Sequence, residues 1–308
     1  YGTPVRIEVF STFLYTHGLQ SIRPDYGVLA SASTIILCVT IATVAVQAKV
    51  LKNAQRFVSV RGKATRPRRL DLGWLKWVAT ILIVIYVVFG AALPILGLVL
   101  RSFTLIFTPL QSPLKSLTLQ NYQTVFTYQS YVQSIVNSVV IAVVGAIVVS
   151  ALALIAVVVA KRSTFRFARA VEYLALAPQA VPGIIVGIGF FWAFAILPGG
   201  NLIQGTLVAV IIAFGLRAMP TAFGSISPAL MQIATELDNA GRVVGADWVG
   251  VFTRILRKLL VPAFAGALLL VFVTMLKEYS AALFLSSANS NVIGTTMLEL
   301  WVQGNSGS

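Results

Sequence analysis

Long apolar stretches separated by short polar segments dominate the sequence, and they predict an all-α membrane protein. A helix needs about 20 consecutive apolar residues to cross the roughly 30 Å hydrocarbon core of a bilayer. The stretches that reach this length are residues 26–47, 75–100, 132–160, 171–197 and 262–285. A shorter stretch, residues 202–216, carries no charge and is predicted to span with help from its polar flanks. The pattern therefore predicts a polytopic bundle of about six spanning helices.

The distribution of basic residues predicts the orientation of these helices. Eighteen of the 23 Lys and Arg residues fall in three segments, 49–76, 161–169 and 217–258, which alternate along the chain with base-poor segments. Basic loops are retained on the cytoplasmic side of a membrane. The asymmetry therefore predicts that these three segments are cytoplasmic and that residues 1–25 and 286–308 lie outside.

Composition narrows the class of protein. The 308 residues are 58% hydrophobic and 10% charged, whereas soluble domains carry about 25% charged residues. The net charge of +14 does not indicate a nucleic-acid partner, because the bases lie between apolar runs and are not interleaved with exposed aromatic residues. A single Cys and a single His exclude a disulfide framework and a Cys/His metal site. Gly62-Lys63 lacks the upstream glycine of a phosphate-binding loop, so ATP hydrolysis is not expected in this chain.

The segment between residues 216 and 262 carries the clearest functional signal. It is too long for a simple connection between adjacent helices, and it contains two amphipathic runs separated by Gly245. One face of the first run is apolar: Ile233, Leu237, Ala240 and Val244. The second run covers Val249 to Leu260. Two short helices with an exposed apolar ridge are predicted, and that ridge would either enter the groove of a soluble partner or lie on lipid.

Ionisable residues near the predicted spans are candidates for a translocation path or a gate. Glu172 lies near the start of one span, and Lys277 and Glu278 stand side by side within the last one, followed by Tyr279. Charges at membrane depth are costly and face an aqueous interior or pair with another helix. Both interpretations remain open from the sequence.

Proline and glycine interrupt the span at 171–197. Pro182 removes a helical hydrogen bond and bends the helix. Gly183 and Gly187 form a G-x-x-x-G face that permits close contact between helices. Such a helix suits a moving transporter core, but the pattern is more typical of ordinary tight packing.

Residues 239–246 and Pro262 resemble the EAA loop of the permease subunits of bacterial binding-protein-dependent ABC importers. That signature reads E-A-A-x-x-x-G with a proline further along, and the segment here reads NAGRVVGA. Asn239 replaces the leading Glu and Gly241 replaces the second Ala. The resemblance implies an ATPase-coupling loop composed of Glu236, Asp238, Asn239, Ala240, Gly241, Arg242, Gly245, Ala246 and Pro262.

Four further segments are similar to the ferric-iron branch of these permeases, in which two permease halves are fused. They are residues 24–27, 58–71, 177–189 and 276–285. The resemblance divides the chain into the end of a first half (1–48, last helix 26–47), a basic cytoplasmic linker (49–74) and a second half that lacks its final helix (75–308, with the type-1 transmembrane core at about 132–308).

The resemblance implies the helix bundle of a type I ABC importer transmembrane domain (the MetI-like fold) in a bacterial inner membrane. Such a chain forms the path for a substrate delivered by an extracytoplasmic binding protein. Ferric iron is the expected substrate, and putrescine or spermidine, thiamine and aminoethylphosphonate are alternatives.

The partners that the resemblance implies are two ATP-binding cassette ATPases, the substrate-binding protein, membrane lipid and the other permease half, in the same or a second polypeptide. ATP and Mg are expected on the ATPases, and this chain is expected to bind no cofactor and to catalyse nothing. A secondary transporter or channel without an ATPase is the alternative from another class. It would carry more ionisable residues within the spans and no long amphipathic loop.

Overall fold

The computed structural model describes residues 72–104 and 117–302, together with residues 34, 35, 38, 39 and 42. The predicted helix 26–47, taken as a whole, and most of the predicted linker 49–74 lie outside the described residues. The described part is almost entirely helical, and its helices are numbered here in chain order. It separates into two compact units, one containing residues 72–132 and 298–302 and the other containing residues 133–297.

In the first unit, α1 (Leu75–Val87) and α2 (Leu93–Ser102) are joined by a π-helical turn, Val88–Ala92, into one apolar helix of 28 residues. Pro94 follows the turn in the first residues of α2. Proline cannot donate to the helical ladder, and a wider turn accommodates its ring. None of the α1 or α2 residues is buried, which leaves an apolar surface suited to lipid. This unit also contains the short helix α3 (Gln120–Thr127).

Three long helices form the core of the second unit: α4 (Gln129–Arg162), α7 (Leu207–Gln232) and the continuous helix Trp248–Leu276. The last consists of α9 (Trp248–Val251), a π-helical turn (Phe252–Leu256) and α10 (Arg257–Leu276). Small residues make the close contacts between them. A Cβ on Gly145 of α4 would collide with the Met275 side chain of α10, and Val149 of α4 packs against Gly215 of α7. Small side chains let helix backbones approach where no water drives association.

A broken helix lies beside this core. It consists of α5 (Ala168–Leu176), a 3₁₀ turn (Ala177–Ala180) and α6 (Gly183–Ile196), and the chain bends by 109° between the two helical parts. A residue before proline is pushed out of the helical region, and Val181, before Pro182, is extended, with φ −99° and ψ 120°. The predicted kink at Pro182 is thus a complete break.

At one end of the unit, a loop between α11 (Ala282–Leu285) and α12 (Ile293–Val302) is fastened to α4. The Asn137 side-chain nitrogen donates to the carbonyls of Asn289 and Asn291, each at 3.0 Å. The Ser138 hydroxyl accepts from the Ile293 backbone N–H at 2.8 Å. These buried polar side chains of α4 fix the course of the loop.

The described residues contain four helices long and apolar enough to cross a membrane, and a fifth if the broken pair is counted as one span. Each predicted span except 26–47 corresponds to one of them, and two sets of boundaries were wrong. The stretch 202–216 contains only the first part of α7, which begins at Leu207 and continues to Gln232. The stretch 262–285 begins too late and ends too late, because the helix runs from Trp248 to Leu276.

The long loop predicted between residues 216 and 262 is therefore wrong in extent. Only residues 233–247 connect α7 to the next long helix, and one short helix, α8 (Glu236–Val243), lies between them. The run Val249–Leu260 is part of the long helix, and Pro262 lies inside α10. Membrane helices tolerate such a proline because neighbouring groups satisfy the freed carbonyl.

Candidate coupling surface and intramembrane charge cluster

Local sequence determines both ends of α8. Its first turn carries Glu236 and Asp238, whose negative charge is favourable at a helix N-terminus. Gly245 has φ +81°, a left-handed conformation, and the Ala246 N–H reaches back to the Gly241 carbonyl at 3.0 Å. This is the usual way for a helix to end at a glycine. Asp247 then starts α9 by accepting from the Gly250 N–H at 2.8 Å.

The inner side of α8 packs through a glycine. Gly241 is buried, and a Cβ there would lie 2.7 Å from the Val251 side chain. The glycine at this position, which departs from the EAA pattern, therefore permits close contact with the start of the long helix. Ile255 lies next to the same point, with 3.6 Å to its terminal methyl.

The outer side of α8 is apolar and exposed. Val243 is 87% exposed and Val244 is 82% exposed, and Leu237 and Ala240 are exposed beside them. We call these four residues the α8 ridge. Asn239 and Glu236 are also exposed, and Arg242 is in the same helix. The predicted members of the loop are thus brought together on α8 and the turn that follows it, except for Pro262, which lies within α10.

The second cluster of interest is an ion pair within the helix bundle. The Arg217 Nε donates to Glu278 Oε2 at 2.9 Å, and the side chains are 28% and 13% exposed. Arg217 is ten residues from the start of α7, or about 15 Å along it at 1.5 Å per residue. That distance is about half the hydrocarbon thickness. The pair therefore lies near mid-depth if α7 spans the bilayer.

The helix break provides a further partner for this pair. Arg217 Nη1 donates to the Val181 carbonyl at 3.2 Å, a carbonyl that is free because the backbone turns away from helix at Pro182. The other Glu278 oxygen accepts from the backbone N–H and the hydroxyl of Ser280. A Cβ on Gly183 would lie 2.7 Å from Arg217 Nη1 and would collide with the Ser280 hydroxyl. The cluster thus joins α7, the broken helix and the turn after α10.

Glu278 is therefore not inside the last helix, as the sequence suggested, but in the turn just beyond it. Lys277 is the C-cap of α10 and is exposed, and Tyr279 is also exposed. Glu172 lies in α5 and pairs with Lys161, the penultimate residue of α4, at 2.6 Å. Among the candidate path residues, Gly183 and Glu278 lie against Arg217, and Pro182 follows the carbonyl that Arg217 binds. Gly187 packs against Ala281 instead, and Glu172 is at the end of the bundle near α8.

Sequence reasoning missed Arg217 as a functional candidate, since it was counted among the bases of a cytoplasmic loop. Without it, that segment holds four bases. The signal that could have placed Arg217 within a helix is the apolar periodicity that continues after it, through Ala218, Ala222, Ile226 and Leu230, all fully buried. Ser280 carried no recognisable signal, because its role depends on a turn.

Gly187 provides a direct test of the packing at the broken helix. A Cβ there would lie 2.7 Å from the Ala281 carbonyl oxygen and 2.9 Å from its Cα, whereas a Cβ on Gly189 would meet nothing within 4 Å. We expect Gly187→Ala to destabilise the protein by about 1–3 kcal/mol, the usual cost of overpacking. Gly189→Ala is the matched control, and it should not lower the midpoint of thermal denaturation in detergent. Equal midpoints for the two variants would contradict the packing described here.

Comparison with known proteins agrees with this architecture. Residues 153–300 match the family described as the binding-protein-dependent transport system inner membrane component. The fold resembles the crystal structure of a bacterial alginate ABC transporter in complex with an alginate pentasaccharide-bound periplasmic protein. The TM-score is 0.59 at 17% identity, over 76% of this chain and 85% of that chain.

Two curated permeases are similar to this chain in sequence. The ferric transport system permease protein FbpB of Actinobacillus pleuropneumoniae is 26% identical over 289 residues, 92% of this chain and 41% of its own length. The molybdenum transport system permease protein ModB of Mycobacterium tuberculosis is 30% identical over 155 residues, 46% of this chain and 57% of its own length. The chain spans less than half the length of the ferric relative.

The apolar helices and the family match over residues 153–300 indicate an integral inner-membrane protein that is similar to the permeases of type I ABC importers. Such a permease is a transport component and not itself the catalyst. Within that class, the similarity across nearly the whole chain places it near the ferric-iron branch.

Proposed function

We propose that this chain is the transmembrane part of an ATP-driven importer that takes up ferric iron. The observation that supports the substrate is the similarity to a ferric transport permease across 92% of this chain. In this proposal a binding protein delivers iron at the end of the bundle opposite α8, and two ATPases dock at the α8 end, in the cytoplasm. The other permease half is supplied by the same polypeptide or by a second copy.

The α8 ridge is the observation that supports the ATPase partner. A pair of valines more than 80% exposed on a short helix at the end of the bundle would be unfavourable in water, and an amphipathic helix of this kind is suited to a groove in a soluble protein. The basic segments predict that this end of the bundle is cytoplasmic, where an ATPase could reach it. ATP and Mg would be held by the ATPases alone.

Molybdenum is a second candidate substrate, because the Mycobacterium permease is 30% identical over 155 residues. The charge cluster does not favour either substrate. Arg217 and Glu278 neutralise each other, so this point of the bundle presents neither a free carboxylate for a cation nor a free guanidinium for an oxyanion. Putrescine or spermidine, thiamine and aminoethylphosphonate remain alternatives, as does a transporter that works without an ATPase.

The substrate is tested by uptake into liposomes that contain the full-length permease with its partner ATPase and binding protein. We expect ATP-dependent accumulation of radioactive ferric iron and none of molybdate, putrescine or thiamine. Liposomes loaded with a non-hydrolysable ATP analogue are the control. Uptake of molybdate alone would replace the iron assignment, and uptake without any nucleotide would overturn the importer mechanism.

A further inference from the structure

Arg162, the last residue of α4, connects three helices through one buried side chain. Its guanidinium Nη1 donates to Asp238 Oδ2, in the first turn of α8, at 2.9 Å. Its Nη2 donates to the carbonyl of Leu230 at 3.1 Å and to that of Ile233. The Arg162 side chain is only 7% exposed, and that of Asp238 is 19% exposed. Both charges are therefore held by the protein and not by solvent.

The carbonyls that Arg162 binds belong to the end of α7. Leu230 lies in the last turn of that helix, and Ile233 is its C-cap. The final carbonyls of a helix lack intrahelical donors, and the negative end of the helix dipole attracts a cation. Arginine can serve both these carbonyls and a carboxylate because its planar fork presents donors on separate nitrogens in fixed directions, whereas all the donors of lysine are on one nitrogen.

The position of α8 thus depends on two attachments. Gly241 packs on Val251 and Ile255 of the long helix that ends as α10, and Asp238 is tied through Arg162 to α4 and α7. The remaining Asp238 oxygen, Oδ1, is buried and has no hydrogen-bond partner among the described residues. Arg162 is the only side-chain partner of the Asp238 carboxylate among the described residues, so removing Arg162 would leave this carboxylate unpaired.

We propose that Arg162 and Asp238 form the joint through which a displacement of α8 reaches α4 and α7, with Arg162 as a positioning residue. The proposal rests on the proposed function, in which α8 is the element moved by the ATPases. Helices that touch only through apolar contacts can slide past each other. A guanidinium bound to three acceptors instead fixes both the distance and the orientation between the elements that carry them. The joint makes the ends of α4, α7 and α8 move as one body.

Lys161 provides the matched control. It is the adjacent residue of α4 and also forms an ion pair, with Glu172 at 2.6 Å. That pair connects α4 to α5 and does not involve α8, and its side chains are more exposed, at 22% and 31%. Lys161→Gln thus removes a charge and an ion pair from the same turn of the same helix and leaves the joint intact.

The test uses the full-length permease in liposomes with its ATPase and binding protein. We expect Arg162→Gln to retain the ATPase at wild-type stoichiometry and to lower the stimulation of ATP hydrolysis by loaded binding protein at least about tenfold. Asp238→Asn keeps an acceptor for Nη1 and should lose less. Lys161→Gln should remain within about twofold of the wild type on the same scale.

If loaded binding protein stimulates ATP hydrolysis in the Arg162→Gln complex to within twofold of the wild type, the proposed role of Arg162 and Asp238 as a joint is wrong. Loss of ATPase binding by this variant, with an unchanged melting temperature, would also overturn it, since Arg162 would then belong to the docking surface. If Arg162→Gln does not fold, Arg162→Lys is compared in its place, and full stimulation by that variant contradicts the need for a forked donor. Absence of ATPase binding by the wild-type protein would instead refute the proposed function.

Discussion

Replacing Val244 by glutamate is expected to abolish co-purification of the ATPase while leaving the permease folded. Val244 is 82% exposed on the α8 ridge, so the fold does not need its side chain. A charge placed in an apolar groove loses its hydration without gaining a partner. Removal of a central contact residue typically costs about 2–4 kcal/mol, or roughly 30- to 1,000-fold in affinity. The measurement is the ratio of ATPase to permease after affinity purification.

The matched control for Val244→Glu is Leu202→Glu. Leu202 is 79% exposed, and it lies in the turn before α7, at the end of that helix remote from α8. The same charge at the same exposure should leave the ATPase bound. A variant at Gly245 would be harder to interpret, because its φ of +81° strains any other residue. If the ATPase still co-purifies with the Val244→Glu protein at the wild-type ratio, the α8 ridge is not the docking surface.

Replacing Glu278 by alanine is expected to lower the stability of the protein by about 3 kcal/mol. The substitution leaves the Arg217 guanidinium within the bundle without its counter-charge, and breaking a buried pair in this way costs about 3–5 kcal/mol. The lower end of that range applies because Arg217 keeps 28% of its side-chain surface exposed. The measurement is the midpoint of thermal denaturation in nanodiscs, followed by tryptophan fluorescence.

Two further variants isolate the ion pair. Lys277→Ala removes the adjacent charge, which is exposed and forms no ion pair with the described residues, and it should leave the midpoint unchanged. The double variant Arg217→Ala/Glu278→Ala should be less destabilised than the sum of its single variants, because no charge is left unpaired. Additive losses, or an unchanged midpoint for Glu278→Ala, would show that the pair contributes nothing.

The membrane class and the apolar helices could be predicted because they depend on composition and run length alone. The true end of the helix that contains residues 202–216 could not be predicted, because Arg217, Pro220 and Pro228 are each ordinary signals of a helix end. In the structure α7 continues through all three. Glu278 neutralises the arginine and the Val181 carbonyl accepts a hydrogen bond from it, and both come from segments far away in sequence.

In the coupling loop, too, the feature set by the local backbone could be predicted from the sequence, and the feature set by packing could not. Gly245 ends α8 as predicted, because a left-handed glycine is a property of the local backbone. The run after it was expected to form a separate surface helix, yet it is the beginning of a long one that buries Val251, Leu256 and Leu260. Pro262 was taken as the start of the span, whereas the buried residues before it show that the long helix begins earlier.

The loop between α11 and α12 has a consequence for the kinetics of recognition. Asn137 and Ser138 hold it by three hydrogen bonds to α4, and Ser287 donates to the Gly205 carbonyl at 2.8 Å. A loop fixed before its partner arrives loses little conformational entropy on binding. Whatever docks on this end of the bundle therefore meets a rigid surface, and its association rate should be governed by diffusion and orientation, with no slow ordering step.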